Sequence, residues 1–234
     1  MSTRPDRELA HGRMFLGLDG CRNGWVAVRI DGRDHDIRVL STIAELNGFA
    51  HDLAMIDMPI GMPRHGKRRC DLQARALLGS NASRVFTGAR RGLWNFASRL
   101  EAHLNFRACG DDGVSCQLWG LQRKLKELDD FITPERQRSL RECHPELVFL
   151  LLNNGEPLPG KHGKDGQKLR RDLVCKEGIR DIDRWLDVWR RGSGAKVDDI
   201  LDACACAIAA CEATRRIPDE PEIDDRGLAM EIWY

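Results

Sequence analysis

The chain has 234 residues, of which 42% are hydrophobic and 31% charged, with a formal net charge of +1. This balance fits one folded domain and excludes a disordered or fibrous chain. A net charge so near zero also excludes a global cationic field, so any attraction for polyanions has to be local.

No apolar run reaches the ~18 residues of a membrane span, and the opening MSTRPDRELAHGR lacks the apolar middle of a signal peptide. The expectation is a polar tail over 1–13 and one domain over 14–234, cytoplasmic and without a membrane partner. From Met14 to Leu18 an apolar run predicts a strand, with turn chemistry at Gly20 to Gly24 and a second strand from Trp25 to Ile30. Asp31-Gly32 punctuates a turn into a third strand, His35 to Leu40, which closes an antiparallel meander. Ser41 is the expected cap of a short helix ending near Ala50. The strand Leu53 to Met58 follows and is stopped by Pro59 and Gly61. A strand after a helical crossover adds parallel to the meander.

The pattern then turns helical over about 64–196, a large insertion. Predicted helices run Cys70 to Leu78, Leu93 to Phe106, Ser115 to Asp130, Pro145 to Leu152, Gln167 to Lys176 and Asp181 to Arg190. A strand from Ser139 to Cys143 interrupts them, and Asp165 is the expected cap of the helix that Gly178 ends. The clearest helix, VDDILDACACAIAACEATRR, has a nearly continuous small apolar face, with arginines at its end to complement the helix dipole. Leu228 to Trp233 reads as a closing edge strand. The nine cysteines are odd in number and lack C-x-x-C spacing, against a disulfide framework or zinc knuckle. Cys204, Cys206 and Cys211 read as small core residues.

The acids carry the chemistry. Asp19 ends the first strand, and Asp57 lies between Ile56 and Met58 at the end of another, where an unpartnered carboxylate is costly to bury. Asp199 and Asp202 are three apart near the start of the last long helix and share a face. If these four meet, they repel one another unless cations neutralise them, and Mg²⁺ or Mn²⁺ suits such hard oxygen ligands. Two such ions roughly 3.5 to 4 Å apart stabilise both the attacking and the leaving oxygen of a phosphoryl displacement. Each acid also has a structural alternative: Asp19 as a turn cap, Asp198 and Asp199 as helix N-terminal residues.

The order of these acids resembles the ribonuclease H-like superfamily, its RuvC-type resolvase branch in particular, with Asp19, Asp57 and then Asp199 and Asp202 followed by Ala203 in matching positions. More closely, the chain resembles a domain-of-unknown-function family described as predicted ribonuclease H-like nucleases. GLDGCRNGWVAV, MIDMPIGMP, CDLQARALLG with SRVF, RECHPELVF, KDGQKLRR and DDILDACACAIAA carry the resemblance across residues 16 to 208. It implies an α/β fold: a ribonuclease H-like mixed sheet of an antiparallel meander plus parallel strands. It also implies a metal-dependent nuclease acting on RNA or structured DNA. RECHPE adds Glu142, which alternation along a strand could bring to the acids, and His144 as a proton carrier; helix entry is the alternative for His144 and the helix dipole for Glu146.

Two basic loops, RHGKRR and GKHGKDGQK, would supply the local positive potential for phosphates, through Arg68, Arg69, Lys161, Lys164 and Arg170. Solvated surface charge is the alternative for each. Trp25, Trp94 and Trp119 could stack on bases, although core packing explains them better. Competing functions are an actin-like or sugar-kinase-like phosphotransferase, for which GLDGCRNG would be the first phosphate loop, and a non-catalytic nucleic-acid or protein-binding module.

Overall fold

Period-2 alternation organises the first three strands, β1 (Met14–Cys21), β2 (Gly24–Asp31) and β3 (Asp34–Leu40). In the computed structural model, which describes residues 12–189 and 191–234, they form the expected antiparallel meander, Leu18 facing Ala27 and Val28 facing Ile37. Most of the predicted polar tail, residues 1–11, lies outside the described residues, as does the predicted helix end at Arg190.

β4 (Leu53–Ile56) and β5 (Leu140–Glu142) join in parallel, giving the five-stranded order β3-β2-β1-β4-β5. Both predicted strands are present but shorter than expected. Asp57 still extends the β4 ladder, donating its N–H to the Leu18 carbonyl at 2.9 Å.

The helices are α1 (Arg69–Leu78), α2 (Arg99–Ala108), α3 (Cys116–Phe131), α4 (Pro134–Gln137), α5 (Pro145–Leu152), α6 (Lys164–Lys176), α7 (Ile182–Val188) and α8 (Val197–Glu212). The sheet separates two cores. Phe15, Val26, Val28 and Met55 face α5 to α8, while Leu16, Leu18, Ala27 and Ile56 face the side of α2 and α3. Among the described residues no helix is long and apolar enough to cross a membrane.

Several boundaries differ from expectation, each for a local reason. Ser41 does not cap a helix: residues Ile43–Gly48 form a 3₁₀ turn capped at Thr42, where Glu45 accepts from the N–H groups of both Ser41 and Thr42. The predicted helix Leu93 to Phe106 is broken, because the Ser98 hydroxyl caps a new helix through the Glu101 N–H. Asp165 lies in the first turn of α6, which is capped at Gly163.

The arginines expected at the end of α8 fall beyond it, and Arg216 opens β6 (Arg216–Ile223), a strand the sequence reading missed because its two prolines break the pattern. The predicted C-terminal strand is present as β7 (Ala229–Trp233). It pairs with β6 in a separate two-stranded sheet and reaches the main sheet through one parallel bridge, Cys143 to Trp233. Cys204 and Cys206 are buried core residues, and no disulfide is formed among the described cysteines.

Candidate functional site

Alternation along two adjacent strands decides where the acids go. On β1, Phe15, Gly17 and Asp19 share the face that carries α8, and on β4 Leu53, Met55 and Asp57 share the same face. Leu18 pairs with Ile56 in parallel register, so Asp19 and Asp57 follow as neighbours at the strand ends. The third acid depends on how closely α8 lies on the sheet. At Gly17 a Cβ would fall 2.0 Å from the Ala207 nitrogen and 2.1 Å from the Ala203 carbonyl, so helix backbone rests directly on β1. That contact brings Asp202 to the strand ends. Asp19, Asp57 and Asp202 offer carboxylate oxygens that all lie within 4.8 Å of one another.

The cluster is short of hydrogen-bond partners. Gly20 donates its N–H to Asp19 Oδ1 at 2.7 Å, and Lys161 Nζ approaches Asp202 Oδ2 at 2.6 Å. The other Asp202 oxygen, Oδ1, is buried with no partner among the described residues. Burial pushes Asp57 and Asp202 up to about 6, with Lys161 opposing the rise in both. Burial, followed by the charges of Asp57, Asp202 and Asp199, raises Asp19 well above the carboxylate range. Burial works against the Lys161 charge too, but Asp202 and Asp57 outweigh it and hold the ammonium above its ordinary value.

Asp199 is not part of this triad. Its Oδ2 accepts the Lys196 N–H at 2.8 Å at the start of α8, which is the helix-terminal role named as its alternative. Nor does Glu142 join. It pairs in register with Ile56, on the opposite face of the sheet from Asp57. There Arg68 grips it with two hydrogen bonds of 2.6 and 2.7 Å and also binds Asp71, all three side chains being buried.

His144 caps α5, its Nδ1 accepting the Glu146 N–H at 3.3 Å, and burial lowers its pKa. Glu146 in turn is held by Arg170 at 2.7 Å and Arg84 at 2.6 Å. Of the five basic residues expected to hold phosphate, Arg68 and Arg170 are therefore buried in ion pairs and Lys161 is bound to the acid cluster. Arg69 and Lys164 are exposed at the first turns of α1 and α6. Trp25 is buried, donating Nε1–H to Glu127 at 3.0 Å, and Trp94 and Trp119 pack half-buried against the second core.

A cavity of about 290 Å³ opens beside the cluster, its wall including Asp57, His144, Lys161 and Asp202. Sequence reasoning missed Arg84 and Phe86 in this wall. Both belong to the SRVF segment that carries the family resemblance, and a positive residue beside an exposed aromatic was the signal available. It missed Gly17 as well, although an isolated glycine inside an apolar strand marks a close backbone approach.

No curated protein and no solved structure matches the chain. A family model described as Protein of unknown function (DUF429) matches residues 17–223, from within β1 to the end of β6, and the chain belongs to that family.

Proposed function

We propose that the protein is a divalent-metal-dependent nuclease with a ribonuclease H-like fold, hydrolysing phosphodiester bonds of nucleic acid. The observation that carries this reading is the convergence of Asp19, Asp57 and Asp202 within 4.8 Å, from two strand ends and a helix far apart in sequence. The sheet order, an antiparallel meander extended by two strands parallel to β1, supports the fold assignment.

The donors fit a hard cation: three carboxylates, one of whose buried oxygens lacks any hydrogen bond. Asp19, Asp57 and Asp202 would hold Mg²⁺ or Mn²⁺, which supplies charge stabilisation at the phosphoryl oxygens and an acidified water. The remaining work falls to the chain itself. Gly20 orients Asp19 through its N–H, and Lys161 fixes Asp202 while adding positive charge for a phosphate. With Nδ1 accepting from the Glu146 N–H, neutral His144 carries its proton on Nε2, available to a leaving oxygen.

The test is cleavage of labelled RNA and single-stranded DNA in Mg²⁺ or Mn²⁺, with an Asp57→Asn variant alongside. Loss of cleavage by about a hundredfold or more is expected, since the reaction depends on the site's electrostatics. Undiminished cleavage overturns the assignment. The Lys161–Asp202 contact at 2.6 Å favours a second reading, a non-catalytic module whose acids are neutralised internally. Calorimetry showing no Mn²⁺ binding by the wild type selects that reading.

A further inference from the structure

The cavity beside the acids has about 290 Å³, at the lower end of the range of small-molecule sites and far too little for a duplex. Asp57 and Asp202 form part of its wall, so an occupant meets the carboxylates directly. The same wall contains Phe86, an aromatic ring left 38% exposed, with Met58, Pro59 and Val85 as further apolar surface. An exposed aromatic face is a platform for a nucleobase.

The charges point the same way. Several cations of the two basic loops are already paired, Arg64 with Asp225, Lys67 with Asp112, Arg170 with Glu146 and Arg171 with Asp183, which leaves Arg69 and Lys164 exposed. Within the cavity wall Arg68, Arg84 and Lys161 stand against five carboxylates, among them Asp57, Glu146 and Asp202. An anionic occupant is therefore repelled until a divalent cation offsets the excess.

We propose that this cavity receives the terminal nucleotide of a single strand, its base against Phe86 and its phosphate toward Asp57 and Asp202, so that the protein cleaves from chain ends. The proposal rests on the nuclease reading and adds the substrate class. A duplex does not fit a cavity of about 290 Å³, and an internal nucleotide would have to lead the chain both into and out of that small space.

Two experiments test it on the full chain. In the first, AMP binding in Mg²⁺ is followed by calorimetry. Saturable binding is expected, abolished by EDTA, weakened about tenfold or more by Phe86→Ala and kept by Phe86→Trp, given the usual worth of base stacking. In the second, a labelled linear oligonucleotide is compared with the same sequence closed into a circle. Cleavage of the linear form alone is expected. A circle cut as fast as the linear strand overturns the end-directed assignment while leaving the nuclease reading intact. Absent AMP binding, or binding indifferent to Phe86→Ala, overturns the pocket. Phe86-dependent AMP binding without cleavage of either strand keeps the pocket and defeats the nuclease reading.

Discussion

Two groups of buried or half-buried carboxylates lie beside the same cavity and are treated oppositely by the fold. Glu142, Asp71 and Glu146 are each met by buried or half-buried arginines, Arg68 for the first two and Arg84 with Arg170 for the third. Among the described residues, Asp19, Asp57 and Asp202 have one lysine between them, and one of their buried oxygens has no partner. The arginine-held acids are settled within the protein and fasten loops to the sheet. The other three hold unrelieved repulsion, which is useful only where something else supplies positive charge. Burial alone does not single out a candidate acid; the absence of a guanidinium is what separates Asp19, Asp57 and Asp202 from Glu142, Asp71 and Glu146.

The largest expected effect comes from Gly17→Val, which removes the approach that creates the second group. Its side chain would meet α8 backbone, which cannot rotate away. Destabilisation beyond about 4 kcal/mol in urea unfolding is expected, above the ordinary overpacking range because the clash is with main chain. Near-wild-type stability would show that α8 does not rest on β1.

Next is Arg68→Met, which leaves Glu142 and Asp71 buried without their cation. A loss of about 3 kcal/mol or more is expected from the same measurement, as for breaking a buried pair by removing one partner.

Asp57→Asn sharpens the contrast by changing sign. It relieves repulsion in the unclamped group and should raise metal-free stability at pH 7 by about 1 to 2 kcal/mol, while abolishing cleavage. The pH dependence has a definite direction. Asp57 and Asp202 titrate at about 6 in the folded chain against an ordinary 3.8, so the folded state holds these protons more tightly. Metal-free stability is therefore highest below about pH 4, falls as pH rises through about 6 and levels off above it, as far as these groups determine it. Adding Mg²⁺ at pH 7 should restore stability in the wild type and not in the variant. A destabilised Asp57→Asn protein would mean that the triad is held together by something other than cations.

The smallest effect is expected from Lys161→Met. The lysine is about one-third exposed, so its loss costs about 1 kcal/mol after solvent screening. Mn²⁺ affinity should rise, because the side chain competes for Asp202. A fall in affinity would instead assign Lys161 to holding the site open for metal.

Much of this was legible in the residues themselves. The meander follows from alternation and turn chemistry, and Asp19 and Asp57 are conspicuous as acids where apolar strands end. Asp202 was legible only as one of two candidates, because sequence spacing places Asp199 and Asp202 on one helical face and cannot tell which one the helix needs for its own first turn. Glu142 failed for a register reason. Alternation showed that Leu140 and Glu142 share a face, but which face depends on the pairing of Glu142 with Ile56 rather than with Asp57. Arg68 and Arg170 were not legible as buried ion-pair residues because a cation's partner lies far off in sequence, as Glu142 does from Arg68, and no local pattern records it. Helix breaks at Ser98 and Thr42 turned on single hydroxyl and carboxylate contacts too local for periodicity to reveal.

The sheet edges have a consequence for behaviour at high concentration. Among the described residues β3 is the outer strand of the main sheet and carries Asp34, Asp36 and Arg38, while β5, only three residues long, is followed by Cys143, whose bridge to Trp233 brings β7 alongside. The flank of the small sheet, β6, carries Pro218 and Pro221 among acids. Each of these borders is charged, interrupted or covered, which discourages self-association by strand addition among the described strands.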